Sequence, residues 1–402
     1  MLLSIALIML VGMAAAMLSK KVGLPGLVGM ILTGAILGPC VLNLIDDSIL
    51  NISSELRKIA LIIILTRAGL TLDLDDLKRA GRPALLMCFL PASFEILGMI
   101  LVAPHLLHIS ILEAAILGAV IAAVSPAVVV PKMIQLMEEG YGMNKQIPQI
   151  ILAGASVDDV FVIVLFTSFT GLAQGDQISV MKFVNIPISI IAGILIGAVI
   201  GIALGIFFTK VHMRDTIKVI IILSLAFILV SLEEMITIPV TFAALISVMF
   251  MGMFLKRKKA DTSARLSAKF NKLWVMAEII LFVLVGASVD ITFISKAGLK
   301  TVILIFAVLV FRMAGVFICM LGTKLNGKER LFCMLAYTPK ATVQAAIGGV
   351  PLAMGLACGN IVLTVAVIAI VITAPLGAFM IEHTYKKLLS KTENNEMLSK
   401  NN

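Results

Sequence analysis

The chain has 402 residues, of which 60% are hydrophobic and only 14% charged, and its mean hydropathy is +1.12. No water-soluble fold needs so much apolar surface with so few charges, so the expected class is an all-α membrane protein. A net charge of +9 in a soluble chain would suggest nucleic acid, but cytoplasmic loops of membrane proteins carry the same excess, and the position of the charges decides between the two.

A span needs roughly 20 mostly apolar residues to cross about 30 Å of hydrocarbon, and on that ruler the chain holds about thirteen segments. In order they are 2–18, 24–42, 56–72, 83–104, 111–134, 149–172, 183–208, 217–232, 236–255, 273–289, 299–321, 331–356 and 360–381. The first run ends near Ala14-Ala15-Ala16 and is read as a retained span rather than a cleaved signal, because Lys20 and Lys21 follow it and no basic residue precedes it. Cys40, Cys88, Cys319, Cys333 and Cys358 lie singly in apolar runs, without CxxC or Cys/His spacing. They read as small packing residues, and no disulfide, zinc or haem is expected.

With the N-terminus outside, every second loop is basic. The inner side receives Lys20, Lys21, Lys78, Arg79, Arg82, Lys132, Lys145, Lys210, Arg214, Lys218, a cluster over 256–272, Lys324, Lys328, Arg330 and the tail lysines. The outer side receives Arg57, Lys58, Lys182, Lys296 and Lys300. This asymmetry fixes an expected orientation in a cell (inner) membrane, with the C-terminus cytoplasmic, and it removes the nucleic-acid reading. The stretch 256–272 is expected as the longest inner loop, and residues 382–402 as a polar cytoplasmic tail.

An internal repeat is legible. Gly69 and Asp73 end the third segment with the spacing of Gly286 and Asp290 in the tenth; an intramembrane charge then follows each Asp, Glu95 in the fourth segment and Arg312 in the eleventh. Ser125-Pro126 interrupts the fifth segment as Thr338-Pro339 interrupts the twelfth. Corresponding segments are an odd number apart, so the two halves face the membrane in opposite senses, which is the inverted-repeat signature of a secondary transporter.

A lone ionised side chain in hydrocarbon costs roughly 3 kcal/mol on insertion scales, so such residues are few, paired and usually functional. Asp158 and Asp159 fall near the middle of the sixth segment, Glu278 in the tenth, and Lys340 just past the Pro339 break. Adjacent helical residues point about 100° apart, so each aspartate is expected to have its own contacts. Two neighbouring carboxylates in low dielectric need a proton or a hard cation such as Na⁺, Li⁺ or K⁺ to neutralise them, and that competition is the minimum an antiporter requires. Ser125, Thr338 and the carbonyls freed at Pro126 and Pro339 are candidate lining groups. Lys340 is expected to pair with Asp158, leaving Asp159 for the ion, and Arg312 to clamp Glu95 through a bidentate contact. Glu278 reads equally as an entrance carboxylate or as a buried structural group. Arg67 is expected within reach of Asp73, and the histidines (His105, His108, His212, His383) fall at segment ends.

At these residues the chain resembles the cation/proton antiporter superfamily, and within it the NHA-type sodium/proton antiporters. The resemblance runs from Leu24-Pro25-Gly26 and Leu37-Gly38-Pro39, through Ser125-Pro126 to Pro131 and the Gly154–Asp159 stretch with its aspartate pair, to Pro339-Lys340-Ala341-Thr342-Val343-Gln344. It implies a homodimer with dimerisation-domain helices at 1–73 and 217–290, core-domain helices at 83–172 and 299–381, and a linker helix at 183–208. It also implies two crossed discontinuous helices, elevator-type movement of the core, and Asp159 as carrier of cation and proton with Asp158 beside it. Electrogenic relatives carry a lysine where Arg312 stands, which puts a two-proton stoichiometry in doubt here. The expected function is therefore a non-enzymatic Na⁺ (or Li⁺)/H⁺ antiporter without a cofactor. The alternatives of other classes are K⁺/H⁺ exchange, sodium-coupled uptake of an organic anion on the same fold, and a cation channel or membrane sensor.

Overall fold

The computed structural model describes residues 1–72, 74–174, 180–235, 242–289 and 291–391. The first half contains α1 (Leu2–Lys21), α2 (Gly26–Leu37), the short α3 (Asp47–Asn51), α4 (Ser53–Thr71), α5 (Leu74–Met87), α6 (Leu90–Leu107), α7 (Ile111–Ile121), α8 (Pro126–Glu139) and α9 (Ile147–Ala173). A long α10 (Val180–Lys210) connects it to α11 (Asp215–Met235), α12 (Ala244–Lys258), α13 (Ala260–Ala287), α14 (Ile291–Cys319), α15 (Gly327–Ala336), α16 (Thr342–Ile347), α17 (Val350–Ala353) and α18 (Gly359–Leu388). Within the described residues, each apolar segment overlaps one of these helices or a broken succession of them. Among the described residues, nine helices are long and apolar enough to cross a membrane.

The two proline-marked segments are broken as their sequences require. Residues 122–125 are non-helical between α7 and α8, with Pro126 at the first turn of α8, where a missing N–H costs nothing. Residues 337–341 separate α15 from α16, and the two unwound stretches meet where the Ser125 amide donates to the Pro339 carbonyl at 2.8 Å. They are the two crossed discontinuous helices.

Packing between the halves follows one shift along the chain. Glu95 and Arg312, 217 residues apart, touch across the antiparallel helices α6 and α14. Next to them Gly98 makes room for Phe311, and its repeat-mate Gly315 makes room for Phe94, the repeat-mate of Phe311. In the second helix group α13 packs on α2 and α4, and α12 packs on α4 and α10. There Gly286 lies against the Ile31 carbonyl and Gly69 against the Met249 carbonyl, each without space for a Cβ. In lipid, helices associate through such close backbone contact, because the hydrocarbon around them supplies little hydrophobic drive. The Asp73 and Asp290 landmarks that closed this repeat in the sequence lie outside the described residues.

Three expectations change. The stretch 256–272 is not a loop: α13 begins at Ala260, and Ser263, Leu266, Phe270 and Trp274 bury one stripe of it at helical spacing. The 83–104 segment is two helices, α5 and α6, separated at Cys88–Phe89. The expected tail at 382–402 begins inside α18. Tyr385 donates to Glu139 at 2.8 Å and the Gly142 amide to the Ser390 carbonyl at 2.9 Å, so residues 385–390 are held on the α8–α9 connection.

Gly69→Leu and Gly286→Leu are each expected to lower stability by about 1–3 kcal/mol through overpacking. Gly327→Ala, whose added carbon meets nothing, should be neutral. Thermal unfolding of the detergent-solubilised protein checks this, and equal midpoints for all three would contradict the packing described.

Candidate functional site

Asp158 and Asp159 lie near the middle of α9, at 0% and 3% exposure. The two side chains diverge, as neighbours on a helix must. Asp158 turns toward the crossing: its Oδ2 accepts from the Val124 amide at 3.1 Å and from Arg312 Nη2 at 3.1 Å. Asp159 faces the other way, into a cavity of about 1090 Å³ lined also by Pro126, Val130, Gln149, Trp274 and Glu278. Lys20, Lys132, Asn271, Glu382 and His383 border the same cavity, and Lys132 and Glu382 are ion-paired there.

Arg312 is the hub. Its Nη1 donates to Glu95 Oε2 at 2.8 Å and to the Ala122 carbonyl, and its Nε donates to the Tyr337 carbonyl at 2.6 Å. The guanidinium also stands over the Tyr337 ring, 4.9 Å from its centre. The expected bidentate Glu95 clamp is therefore replaced by a shared fork: five N–H donors on a rigid plane let one arginine serve two carboxylates and two unwound strands of backbone.

Lys340 does not pair with Asp158, contrary to expectation. Its Nζ lies 2.7 Å from Glu95 Oε1 and donates to Oε2 at 2.8 Å. Its own amide is tied to Thr373 at 3.0 Å, which aims the side chain at α6, while the fork of Arg312 already occupies Asp158. Glu95, Asp158, Arg312 and Lys340 are all at 0% exposure and form one chain of ion pairs. Two acids and two bases balance. Asp159 has no ion-pair partner among the described residues and is the carboxylate left over.

Ser125 is fully buried at the crossing, and its hydroxyl has no hydrogen-bond partner among the described residues; neither have Asp158 Oδ1 and Asp159 Oδ1. Thr338 instead turns back to its own helix, donating to the Leu335 carbonyl at 2.8 Å. Pro126 and Pro339 sit at the two breaks, Pro126 also on the cavity wall. Glu278 and Arg67 both line the cavity. The Asp73 partner expected for Arg67 lies outside the described residues. The sequence reading gave no role to Tyr337, Thr373 or Gln344, whose polar atoms hold the unwound backbone in place. A polar residue inside an apolar segment was the available signal for each.

The profile of a family described as sodium/hydrogen exchanger, transmembrane, matches residues 5–387. Sodium/hydrogen exchanger 9B2 of Homo sapiens is 33% identical over 390 residues, covering 92% of this chain and 71% of the relative. Sodium/hydrogen exchanger 9B2 of Mus musculus is 32% identical over 390 residues, covering 92% and 69%. The solved structure of the sodium proton antiporter MjNhaP1 from Methanocaldococcus jannaschii at pH 8 superposes with a TM-score of 0.84 over 96% of this chain and 97% of that one. At 19% identity that likeness is one of fold. A multi-pass helical protein with a buried carboxylate on a cavity wall that has no ion-pair partner among the described residues, and with these relatives, belongs to the sodium/hydrogen exchanger family of the cation/proton antiporter superfamily, whose members are transporters exchanging cations for protons.

Proposed function

We propose that the chain exchanges Na⁺ (or Li⁺) for H⁺ at Asp159, with Asp158 as its fixed neighbour. The observation that carries this reading is charge balance: Glu95, Asp158, Arg312 and Lys340 neutralise one another, while Asp159, buried beside them and facing the cavity, has no ion-pair partner among the described residues. An uncompensated carboxylate there is costly, so a proton or a cation must occupy it before it crosses the bilayer. The unpartnered oxygens of Asp158, Asp159 and Ser125 are hard donors of the kind alkali ions take.

Alternating access is read as movement of the α5–α9 and α14–α18 helices, which carry the whole charge network, against α1, α2, α4 and α11–α13. The cavity runs between these two groups, which supports a boundary along which they slide. Its wall includes Lys20 and Lys132, residues that the charge asymmetry puts on the cytoplasmic side, so the cavity is read as open inward. A homodimer formed through the α1, α2, α4 and α11–α13 side leaves the other group free to move. The cell membrane, with the N-terminus outside, is the assigned location.

Asp159→Asn should abolish Na⁺-driven proton flux in proteoliposomes while leaving thermal stability at or above that of the parent, since a neutral amide removes an uncompensated charge. Flux at the parental rate would refute the assignment. Because Arg312 and Lys340 are both committed to carboxylates, only one group exchanges, and transport is expected at one cation per proton. Clamping the membrane potential with valinomycin and K⁺ should leave the initial rate unchanged, and a voltage-dependent rate would contradict a single exchanging group. Arg312→Ala strands the buried Asp158, leaves Glu95 to Lys340 alone, and should cost about 3–5 kcal/mol of stability, against a much smaller loss for Arg312→Lys. Thermal unfolding in detergent separates the two, and equal losses would remove the hub role.

A further inference from the structure

Helix α7 ends at Ile121, and the carbonyls of Ile121, Ala122 and Ala123 fall in the break, where no helical amide follows to satisfy them. All three are instead met by side chains from the other repeat. Arg312 takes Ala122; the carboxamide of Gln344 takes the two on either side, donating from Nε2 to Ile121 O at 3.0 Å and to Ala123 O at 2.9 Å. Gln344 is at 0% exposure on α16, between the buried Val343 and Ala345. The next residue, Val124, gives its amide to Asp158. These carbonyls therefore adjoin the Asp158 side of the aspartate pair.

Backbone carbonyls are hard, neutral ligands, and the number of them that converge on an alkali ion helps decide which ion is favoured. A site next to the free end of a broken helix would ordinarily offer several. Gln344 withholds two, and it does so without charge, which leaves the balance of Glu95, Asp158, Arg312 and Lys340 undisturbed. We infer that Gln344 is a positioning residue that sets cation selectivity: by occupying the Ile121 and Ala123 carbonyls it keeps the exchange site poor in oxygen ligands and so biased toward the smaller ions. The inference rests on the reading of Asp158 and Asp159 as the exchange site.

Gln344→Met keeps the length of the side chain and removes both donors, and Gln344→His keeps one ring N–H. Both are compared with the parent in proteoliposomes under Li⁺, Na⁺ and K⁺ gradients, reading KM and kcat for each ion. For Gln344→Met, the release of two carbonyls, each holding a hydrogen bond of ordinary net strength, should move the K⁺-to-Na⁺ ratio of KM in favour of K⁺ by about tenfold. The kcat per folded protein should change much less, and Gln344→His should fall between parent and Met. A role in stability alone would lower yield and melting temperature with the ratio unmoved. If Gln344→Met does not reach the membrane, Gln344→His alone decides by the same ratio. A ratio within about twofold of the parent, or one displaced toward Li⁺, overturns the inference. A parent protein with no cation-driven proton flux would instead overturn the exchanger reading, so the two failures are distinct.

Discussion

The site is organised around the buried Asp159, which has no ion-pair partner among the described residues. Burial of a charge is tolerated when a partner is fixed beside it, and Glu95 and Asp158 have such partners in Lys340 and Arg312. Asp159 is excluded from that arrangement by helical geometry: one residue along α9, it points about 100° away from the network and into the cavity. In the proposed function, that charge comes from solution as a proton or a cation.

The inverted repeat supplies the frame in which this is possible. The antiparallel contact of α6 and α14 brings an acid of one half against a base of the other, and the exchange of Gly98, Phe311, Gly315 and Phe94 across that contact shows the same two-fold relation in packing. The two breaks then meet at the level of the network. In lipid, unpaired backbone groups are tolerated only where protein or a water-filled cavity satisfies them. Here Arg312, Gln344, Asp158 and the reciprocal strand satisfy most of them with side-chain and cross-strand hydrogen bonds. What holds the break together also shapes the site, which ties stability and selectivity to the same few residues.

Much of this was legible in the sequence because lipid imposes simple rules. Hydropathy locates the helices, and Asp158, Asp159, Glu95, Arg312 and Lys340 stand out because charges in such segments are rare. The partner of each charge was not legible. For Lys340 the choice between Asp158 and Glu95 depends on the reach of the Arg312 fork and on the direction in which the Thr373 contact sends it. The N-terminal extension of α13 was missed because a ruler for spans counts apolar residues only, although Leu266, Phe270 and Trp274 carry the spacing of an amphipathic helix. Gln344 sits in an apolar run as visibly as any aspartate, but a neutral amide gives no sign of what it holds.

The central claim is that a proton and a cation take turns at Asp159. It is tested most directly by adding Na⁺ to the purified protein in weakly buffered detergent solution with a pH indicator, alongside calorimetric titration of the same sample. The account predicts saturable Na⁺ binding accompanied by release of up to one proton per chain, the yield approaching one where the site begins fully protonated. Saturable Na⁺ binding without proton release at any pH would contradict it.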